Sequence, residues 1–399
     1  MMSRTSATFS PPVMQARRWL DGVNFPAERP LINVSQAAPV EPPPEPLRKI
    51  IAKAALEQPQ AHLYGPVLGL PELRAEVANQ WSAAYNGQID AAQVAITSGC
   101  NQAFCAVISA LCGEGDEVIL PTPWYFNHKM WLDMSGVRTL PLPARAGLLP
   151  DVEEAASLIT NRTRAIVLVT PNNPGGVEYP AALVRDFFEL ARRHGLALII
   201  DETYRDFDAR TGAPHDLFTD PDWHDTLIQL YSFSKAYRLT GHRVGAITAS
   251  ENRLSEAEKY LDTVTICPNQ LGQIAALWGM QNLGQWLAGE RAEILDRRAA
   301  IQGHMPELEA QGWTLLGCGA YFAYLEHPFA MPSDQLAQKL VSEAGVLLLP
   351  GTMFMPEGTP HGARQLRLAF ANVDRAGITT LFERLSGLPW PLAPDKASA

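Results

Sequence analysis

Short, continuous runs of apolar residues recur along the middle of the chain and alternate with segments of helical periodicity. These runs are residues 94–97, 117–120, 165–169, 197–200, 227–230 and 244–247. Unbroken apolar runs, rather than alternating ones, are typical of strands that are buried on both faces of a sheet. The pattern therefore predicts a mostly parallel sheet covered by helices, from about residue 50 to 285.

The two ends of the chain differ from this pattern. Five prolines crowd residues 39–46, which indicates an extended connector, because proline fixes φ and lacks an N–H. Toward the carboxyl end, residues 286–304 predict a long charged helix that ends before Pro306. Residues 321–325 and 366–370 predict strands of a smaller unit in which helices and strands are mixed.

These differences divide the chain into three predicted parts. We expect residues 1–49 to form an amino-terminal arm and the first part of a small domain, residues 50–285 a large domain, and residues 286–399 the rest of the small domain. The predicted fold class is α/β. It combines a three-layer αβα large domain, with a mostly parallel sheet, and a smaller α+β domain.

Composition and charge exclude several classes of protein. The 399 residues carry 32 basic and 42 acidic side chains, a net charge of −10, which disfavours a dedicated nucleic-acid binder. No apolar run approaches the roughly 20 residues that span a bilayer, so we expect no membrane segment. Five cysteines without a CxxC pair give no metal motif. The first ten residues lack an apolar stretch, so we expect no secretory signal and a cytoplasmic protein with reduced thiols.

Candidate functional residues follow the predicted strands, at the sheet edge where ligands of open α/β proteins bind. The turn at residues 98–101 opens a predicted helix, and its small residues can either bind a phosphate through free N–H groups or simply cap the helix. Residues 172–176 are rich in asparagine, proline and glycine, which by itself is also typical of a surface turn.

Charged side chains follow the next two strands. Asp201 comes directly after the run 197–200, where a carboxylate can cap a helix or pair with a cationic ligand atom. Lys235 lies in a hydroxyl-rich loop beyond the following strand, and Arg243 follows eight residues later. A lysine in such a loop can be merely solvated, but the flanking hydroxyls and arginine indicate an anion site beside an amine nucleophile.

The order of these motifs is more informative than any one of them. After the phosphate-type turn come Asn173-Pro174-Gly175, Asp201-x-x-Tyr204, Ser232-x-Ser234-Lys235 and Arg243-Val244-Gly245. The ordered set resembles fold-type I pyridoxal-phosphate enzymes and, more narrowly, the class I/II aminotransferases, over about residues 32–370. This resemblance implies pyridoxal 5′-phosphate as cofactor. It also implies a homodimer that moves an amino group from an amino acid to a 2-oxo acid by a ping-pong mechanism.

The resemblance implies a role for each candidate at the cofactor. Lys235 would hold it as a Schiff base and shuttle a proton between the substrate Cα and the cofactor C4′. Asp201 would pair with the protonated pyridine nitrogen, and Asn173 and Tyr204 would hydrogen-bond the phenolic oxygen. The implied phosphate ligands are the amides of Cys100 and Asn101 beyond Gly99, the hydroxyls of Ser232 and Ser234, and the guanidinium of Arg243.

Two aromatic positions are also implied by the resemblance. Tyr125 matches the residue that stacks on the cofactor ring, although its neighbour Trp124 could take that place, and both could be plain core aromatics. Tyr64 matches a tyrosine that reaches the phosphate in the neighbouring subunit. The homodimer is therefore expected to complete each site with a residue of the other chain.

Substrate recognition is implied at three positions. Arg367 matches the arginine that binds the substrate α-carboxylate at two points, and Arg364 is its competitor for that role. Asn173 is expected to lie beside the same carboxylate. Ala37, followed by another alanine where the family often has glycine, is expected to narrow the substrate entrance.

The donor side chain is less clearly specified. Relatives specialised for dicarboxylates often carry a second arginine in the segment that matches residues 262–270, and this chain has no arginine or lysine there. Neutral or aromatic donors are therefore expected, with Arg17, Arg18 and Lys259 as other possible sources of charge. Two alternatives stay open: a β-lyase or related synthase of the same fold, and a non-enzymatic pyridoxal-phosphate sensor domain. The sensor would need a basic DNA-binding module ahead of residue 30, which the first thirty residues cannot hold.

Overall fold

The computed structural model describes residues 3–394, so the outer ends of the first and last predicted domains lie outside the described residues. The strands are β1 (Ile32–Asn33), β2 (Val94–Thr97), β3 (Glu117–Thr122), β4 (Arg138–Pro143), β5 (Thr163–Val169), β6 (Ala197–Asp201), β7 (Leu227–Ser232), β8 (Gly245–Thr248), β9 (Thr314–Gly319), β10 (Phe322–Glu326), β11 (Val346–Leu347), β12 (Leu349–Pro350) and β13 (Gln365–Ala369). The helices are α1 (Pro12–Arg18), α2 (Glu45–Glu57), α3 (Pro71–Ala84), α4 (Cys100–Leu111), α5 (Phe126–Ser135), α6 (Val152–Leu158), α7 (Ala181–Arg193), α8 (Trp223–Thr226), α9 (Phe233–Ala236), α10 (Glu251–Thr265), α11 (Gln270–Asn282), α12 (Gly284–Glu309), α13 (Ser333–Lys339) and α14 (Arg375–Ser386).

Seven strands form the central sheet, in the order β2-β8-β7-β6-β5-β3-β4. The pairs among β4, β3, β5, β6 and β7 are parallel, and only β8 runs antiparallel to its neighbours. The predicted α/β class with a mostly parallel sheet is confirmed. Because the carboxyl ends of β5, β6 and β7 meet at one edge, residues that follow these strands come together there.

Strand β5 shows why the apolar runs are continuous. Ile166 and Leu168 belong to one buried cluster, which includes side chains of α3, α7 and α11. Ala165 and Val167 point the opposite way, into a second cluster with side chains of α4, α5 and α10. Side chains alternate between the faces of a strand, so a strand covered on both faces needs an apolar residue at every position. The sheet with its two helical covers makes the three predicted layers.

A second, antiparallel sheet has the order β12-β13-β10-β9 and shares a buried cluster with α12 and α14. Strand β1 pairs in parallel with β11, so residues 32–33 from the amino-terminal part join the carboxyl-terminal part of the chain. This pairing agrees with a small domain built from both ends, while the boundaries at residues 49/50 and 285/286 stay predictions.

Several elements differ from the sequence-based expectation, among them helix α12 and strand β4. Helix α12 does not end before Pro306 but runs through it to Glu309. Because proline has no N–H, the last turns of the helix lack one hydrogen-bond donor. Met305 and Leu308 pack this end of the helix into a buried cluster. Strand β4 was not expected, because Pro141 and Pro143 interrupt its sequence. Within residues 3–394, no helix has the length and apolar character needed to cross a membrane.

Candidate active site

One cavity, with a volume of about 440 Å³, lies at the edge where β5, β6 and β7 end. It is lined by most of the residues singled out in the sequence: Ala37, Cys100, Asn101, Tyr125, Asn173, Asp201, Tyr204, Ser232, Ser234, Lys235, Arg243 and Arg367. Gly99, Tyr64, Trp124 and Arg364 are not among its lining residues. The fold therefore brings together residues that are as far apart as 330 positions along the sequence, from 37 to 367.

Lys235 is presented by the short helix α9, directly after strand β7. The hydroxyl of Ser232, the last residue of β7, caps this helix by accepting a hydrogen bond from the backbone N–H of Ser234. The Lys235 amine donates to the carbonyl of Ala37 over 2.6 Å and lies 5.9 Å from the centre of the Tyr204 ring. Burial, together with the charges of Arg243 and Arg367, lowers the pKa of Lys235 to about 8. About a tenth of this amine is therefore neutral and nucleophilic at pH 7, far more than for an ordinary lysine.

Asp201 is the last residue of β6 and is almost fully buried. The Nε2 atom of His128 lies 3.3 Å from one of its carboxylate oxygens, and the backbone N–H of Thr203 donates to the other over 3.0 Å. Burial opposes ionisation, but the imidazole of His128 and the bonds from Thr203 outweigh it, so the pKa of Asp201 lies below its usual value. The site thus keeps a buried negative charge at neutral pH.

An anion site forms where α4 begins. Gly99 adopts φ +90°, which side chains rarely allow, and a Cβ there would collide with the guanidinium of Arg243. A Cβ on Gly245 would lie 2.6 Å from the backbone nitrogen of Cys100. Arg243 also faces the hydroxyl of Ser234 at 3.4 Å. The two glycines let the guanidinium and the first amides of α4 converge, which is the arrangement that binds phosphate.

Arg367 lies on β13 and is 2% exposed. Its guanidinium donates to the side-chain oxygen of Asn173 over 3.2 Å and to the carbonyl of Ser35. Burial lowers its pKa to about 10, against the opposing effect of Tyr204, Tyr125 and Tyr324. It remains charged at neutral pH, in a position where it can bind a carboxylate. Its competitor Arg364 lies outside the cavity lining.

The two aromatic candidates at residues 124 and 125 face different spaces. Tyr125 lines the cavity, and its hydroxyl donates to the side chain of Asn101 over 3.2 Å. Trp124 packs into the buried cluster on one face of the central sheet. This placement favours Tyr125 as the residue beside a bound ring. Tyr64 is 79% exposed on the single chain, which leaves it accessible to a second copy.

The charges of the cavity fit pyridoxal phosphate. Arg17, Lys235, Arg243 and Arg367 contribute positive charge, whereas Asp201 is the one carboxylate among the lining residues that the structure describes. This surplus of positive charge favours an anionic ligand, and the guanidinium of Arg243 at the start of α4 lines the same cavity as the amine and the carboxylate. A ligand with a phosphate, an aldehyde and a basic ring nitrogen would satisfy all three groups.

Comparison with known proteins agrees with this arrangement. The family model for class I and II aminotransferases matches residues 26–385. The chain belongs to this family. An aspartate aminotransferase of Streptomyces avermitilis is 30% identical over 384 residues, which cover 90% of each chain. An aromatic aminotransferase of Arabidopsis thaliana is 27% identical over 354 residues, 86% of each chain. The solved structure of YbdL from Escherichia coli, described as having a methionine aminotransferase function, has the same fold: the TM-score is 0.86 at 24% identity, over 97% of this chain and 99% of that one.

The chain is thus a pyridoxal-phosphate-dependent transaminase. Its site also involves residues that the sequence analysis missed: His128, which contacts Asp201 from outside the cavity lining, and an amino-terminal wall of the cavity. His128 gave almost no signal, because a single histidine on a partly apolar helix is usually a core residue. Its ring stacks on Phe104 with centroids 3.9 Å apart, while its edge faces Asp201. The aminotransferase also uses its amino-terminal segment as one wall, because Pro11, Pro12, Val13, Met14 and Arg17 line the cavity. Of these residues, the sequence analysis considered only Arg17, as one of three possible sources of positive charge for a dicarboxylic substrate.

Proposed function

We propose that this aminotransferase moves the amino group of a neutral or aromatic amino acid to a 2-oxo acid in ping-pong order, as a cytoplasmic homodimer. The observation that carries the proposal is the meeting of Lys235, Asp201, Arg243 and Arg367 in one cavity of a family member. Bound pyridoxal phosphate supplies an electron sink that stabilises negative charge at the substrate Cα. The side chains of this protein bind, orient and move protons around it.

Lys235 is the proposed proton carrier. Its pKa of about 8 lies close to neutral pH, where a base can both accept and return a proton efficiently. We propose that its amine would hold the cofactor when no substrate is bound and would, as a free amine, take the proton from the substrate Cα. The carbonyl of Ala37, which accepts a hydrogen bond from this amine, orients it in the cavity.

The remaining residues hold the reacting groups in place. Asp201 would hold the pyridine nitrogen in its protonated form, because the negative charge of its carboxylate is maintained by His128 and Thr203. We assign the phosphate to Arg243, Ser232, Ser234 and the first amides of α4. The same proposal gives Asn173 and Tyr204 the phenolic oxygen, Tyr125 the ring face, and Arg367 the substrate α-carboxylate.

The wall around the substrate side chain supports a neutral or aromatic donor. Pro12, Val13, Met14 and Phe126 present apolar groups to the cavity. The segment 262–270, where a second arginine would approach from a partner subunit, contains neither arginine nor lysine. Aspartate would therefore lack the charge-assisted bond that such an arginine provides to a dicarboxylate.

Exposed apolar residues support the proposed homodimer, and free cysteines support the proposed cytoplasmic location. Leu63, Tyr64, Val264 and Ile266 are large apolar side chains that the single chain leaves exposed, which is typical of a surface that a second copy covers. The side chain of Gln270 donates to the carbonyl of Leu63, so these two exposed segments are joined. All five cysteines are free, in agreement with a reducing compartment.

Half-reaction spectroscopy tests this function. With a donor alone and no 2-oxo acid, the enzyme is expected to convert its bound cofactor to the amine form and to release one equivalent of 2-oxo acid. Alanine, methionine and phenylalanine should give kcat/KM values roughly ten- to a hundredfold higher than aspartate, the cost of one missing charge-assisted bond. Lys235→Ala is the control that should lose the conversion.

Other outcomes would point to the two alternatives. Release of ammonia, with the cofactor left in its aldehyde form, in place of one equivalent of the donor's own 2-oxo acid would indicate a lyase. Cofactor binding without turnover of any donor would indicate a sensor. A clear preference for aspartate would contradict the proposed substrate class while leaving transamination intact.

A further inference from the structure

A second cavity, to which the proposed function gives no role, lies beside the active site. Its volume is about 950 Å³, against about 440 Å³ for the active-site cavity. Its walls come from residues 7–19, from residues 124–141, which include α5 and the start of β4, and from α13 and residues 350–363. Among the described residues, Pro12 alone lines both cavities. The second cavity is large enough to hold a ligand of two aromatic rings.

The lining of the second cavity is rich in flat apolar groups. It contains three aromatic rings, two thioethers and five proline rings: Phe9, Trp19, Trp124, Met353, Met355, Pro12, Pro141, Pro350, Pro356 and Pro360. Aromatic faces and polarisable sulfur atoms pack well against a planar ring. This lining therefore favours an aromatic ligand.

The charged side chains of this lining are either paired or exposed. Lys129 forms an ion pair with Asp133, and Arg138 forms one with Glu117. The other two acidic residues of the lining, at positions 334 and 357, are exposed to solvent. A charged ligand would lose its hydration here without gaining a free counterion from the lining residues that the structure describes. The second cavity therefore favours an uncharged ligand.

Trp124 supplies a hydrogen-bond donor to this cavity. It lines the cavity and is 4% exposed, and its Nε1 atom has no hydrogen-bond partner within residues 3–394. The ammonium group of Lys129 lies 5.7 Å from the centre of the Trp124 ring. A buried N–H without an acceptor costs free energy, so a ligand that brings an acceptor to it gains affinity. The required acceptor is an uncharged oxygen such as a carbonyl.

We propose that the second cavity is a binding site for an uncharged aromatic carbonyl compound, whose carbonyl oxygen accepts a hydrogen bond from Nε1 of Trp124. The proposal does not rest on the proposed function, because such a compound has neither a carboxylate for Arg367 nor a phosphate for Arg243. Its ligand would contact the active-site wall from behind, because Pro12 lines both cavities and Trp124 precedes Tyr125.

The proposed homodimer is expected to leave this cavity open. The exposed residues at 63–64 lead into Leu68, whose carbonyl accepts a hydrogen bond from the N–H of Ile96 on β2. Strand β2 is one edge of the central sheet, and β4, which lines the second cavity, is the other edge. The surface assigned to the second copy and the cavity thus lie at opposite edges of the sheet.

Prodan, a neutral naphthyl ketone whose emission shifts to shorter wavelength in an apolar site, tests binding to the holoenzyme. We expect saturable binding of one molecule per subunit. Saturating 4-methylpentanoate, a non-reactive carboxylate shaped like a neutral donor, should occupy the active site and leave prodan bound. Absence of saturable binding, or displacement of prodan by 4-methylpentanoate, would overturn the proposal and leave transamination untouched.

A pair of variants tests the assigned donor. Trp124→Phe removes the N–H, and Trp131→Phe is its matched control, because Nε1 of Trp131 is also buried without a partner but Trp131 does not line the cavity. Displacement of prodan gives the Kd values of 2-acetylnaphthalene and 2-ethylnaphthalene, which differ in the carbonyl group. Trp124→Phe should shift the ratio of these Kd values about three- to tenfold in favour of 2-ethylnaphthalene, the effect of one neutral hydrogen bond. Trp131→Phe should keep the wild-type ratio.

A merely structural role of Trp124 would weaken both naphthalenes equally and leave this ratio unchanged, which would overturn the proposal. A second pair of variants locates the ligand independently. Ala7 lines the cavity and Ser6, on the same exposed helical turn, does not. Ala7→Trp should fill part of the cavity and raise the Kd of prodan about threefold or more, whereas Ser6→Trp should bind prodan as the wild type does. Cofactor absorbance and Tm show that the variants are folded. Equal Kd values in this pair would place prodan elsewhere and refute the site.

Discussion

The reactivity of Lys235 depends on three neighbouring charges. Burial and the guanidiniums of Arg243 and Arg367 lower its pKa to about 8, and the carboxylate of Asp201 opposes them. Only the neutral amine attacks an aldehyde. The folded protein therefore makes this lysine reactive near neutral pH, where an ordinary lysine, with a pKa of about 10.4, is almost fully protonated.

We therefore predict the pH dependence of cofactor capture. In enzyme freed of cofactor, the initial rate of covalent attachment of pyridoxal phosphate should rise about tenfold per pH unit well below pH 8 and level off above it. The reason is that the neutral fraction of the Lys235 amine rises with pH up to its pKa and approaches one above it. Borohydride trapping at a series of pH values measures this rate, with N-acetyl-lysine amide as the control amine. A protein rate that keeps rising up to pH 10, as the control should, would contradict the lowered pKa.

His128 illustrates what the sequence does not specify at the scale of single residues. Lys235 and Asp201 were predictable because each lies at the carboxyl end of a buried strand, and Arg243 because it stands in a recognisable motif just before β8. His128 lies in the first turn of helix α5, and its importance comes from a contact with Asp201, which is 73 positions away along the chain. No local pattern reports such a contact, because it depends on how α5 packs against the sheet.

Helix α4 shows how one glycine determines the geometry of a whole element. Its first residue follows Gly99, whose positive φ turns the chain so that the first amides of the helix face the cavity. The absence of a Cβ also leaves room for the guanidinium of Arg243. The start of the helix and the arginine can therefore share one anion.

We predict that Gly99→Ala weakens cofactor binding. The substitution adds backbone strain of about 1–2 kcal/mol and pushes Arg243 away from the helix start, so the Kd for pyridoxal phosphate should rise about tenfold or more. Spectroscopic titration measures the Kd, and Tm reports the strain. Gly115→Ala is the matched control, because Gly115 also has a positive φ but has no atom within 4 Å of the added Cβ. Both variants should lose stability, and only Gly99→Ala should lose affinity; equal Kd values would refute the role of this contact.

At the level of elements, the continuous apolar runs predicted the inner strands and the edge strand β2 well, but missed the edge strand β4. Strand β5, flanked by β3 and β6, needs an apolar residue at each position, so it can be predicted from its sequence. Strand β4 pairs only with β3 and has no neighbour on its other side, so Pro141 and Pro143 are tolerated there. Likewise, the role of α1 as a wall of the cavity depends on tertiary packing, which its seven residues do not encode by themselves.

For the whole molecule, the exposed apolar residues are the feature that the single chain does not explain. Tyr64 and Leu63 lie on one exposed segment, and Val264 and Ile266 lie on a second segment that contacts it through Gln270. Ile266, with φ +65°, an unusual conformation for a β-branched residue, directly follows helix α10. A second copy that covers this surface would bring Tyr64 toward the phosphate site of its partner.

We predict that Tyr64 serves the site of the other subunit. Tyr64→Phe should weaken cofactor binding in the homodimer by on the order of 1 kcal/mol, the loss of one hydrogen bond to a charged group.

A mixed dimer shows which subunit's site this hydrogen bond serves. When a Tyr64→Phe subunit is paired with a Lys235→Ala subunit, only the first has its lysine, and the tyrosine serving that site comes from the second and is intact. Its cofactor affinity should equal that of a wild-type subunit paired with Lys235→Ala. In the matched dimer, a wild-type subunit is paired with a chain carrying both substitutions, and its one lysine-containing site should bind as weakly as the Tyr64→Phe homodimer. The reverse order of the two affinities would place Tyr64 at the site of its own chain.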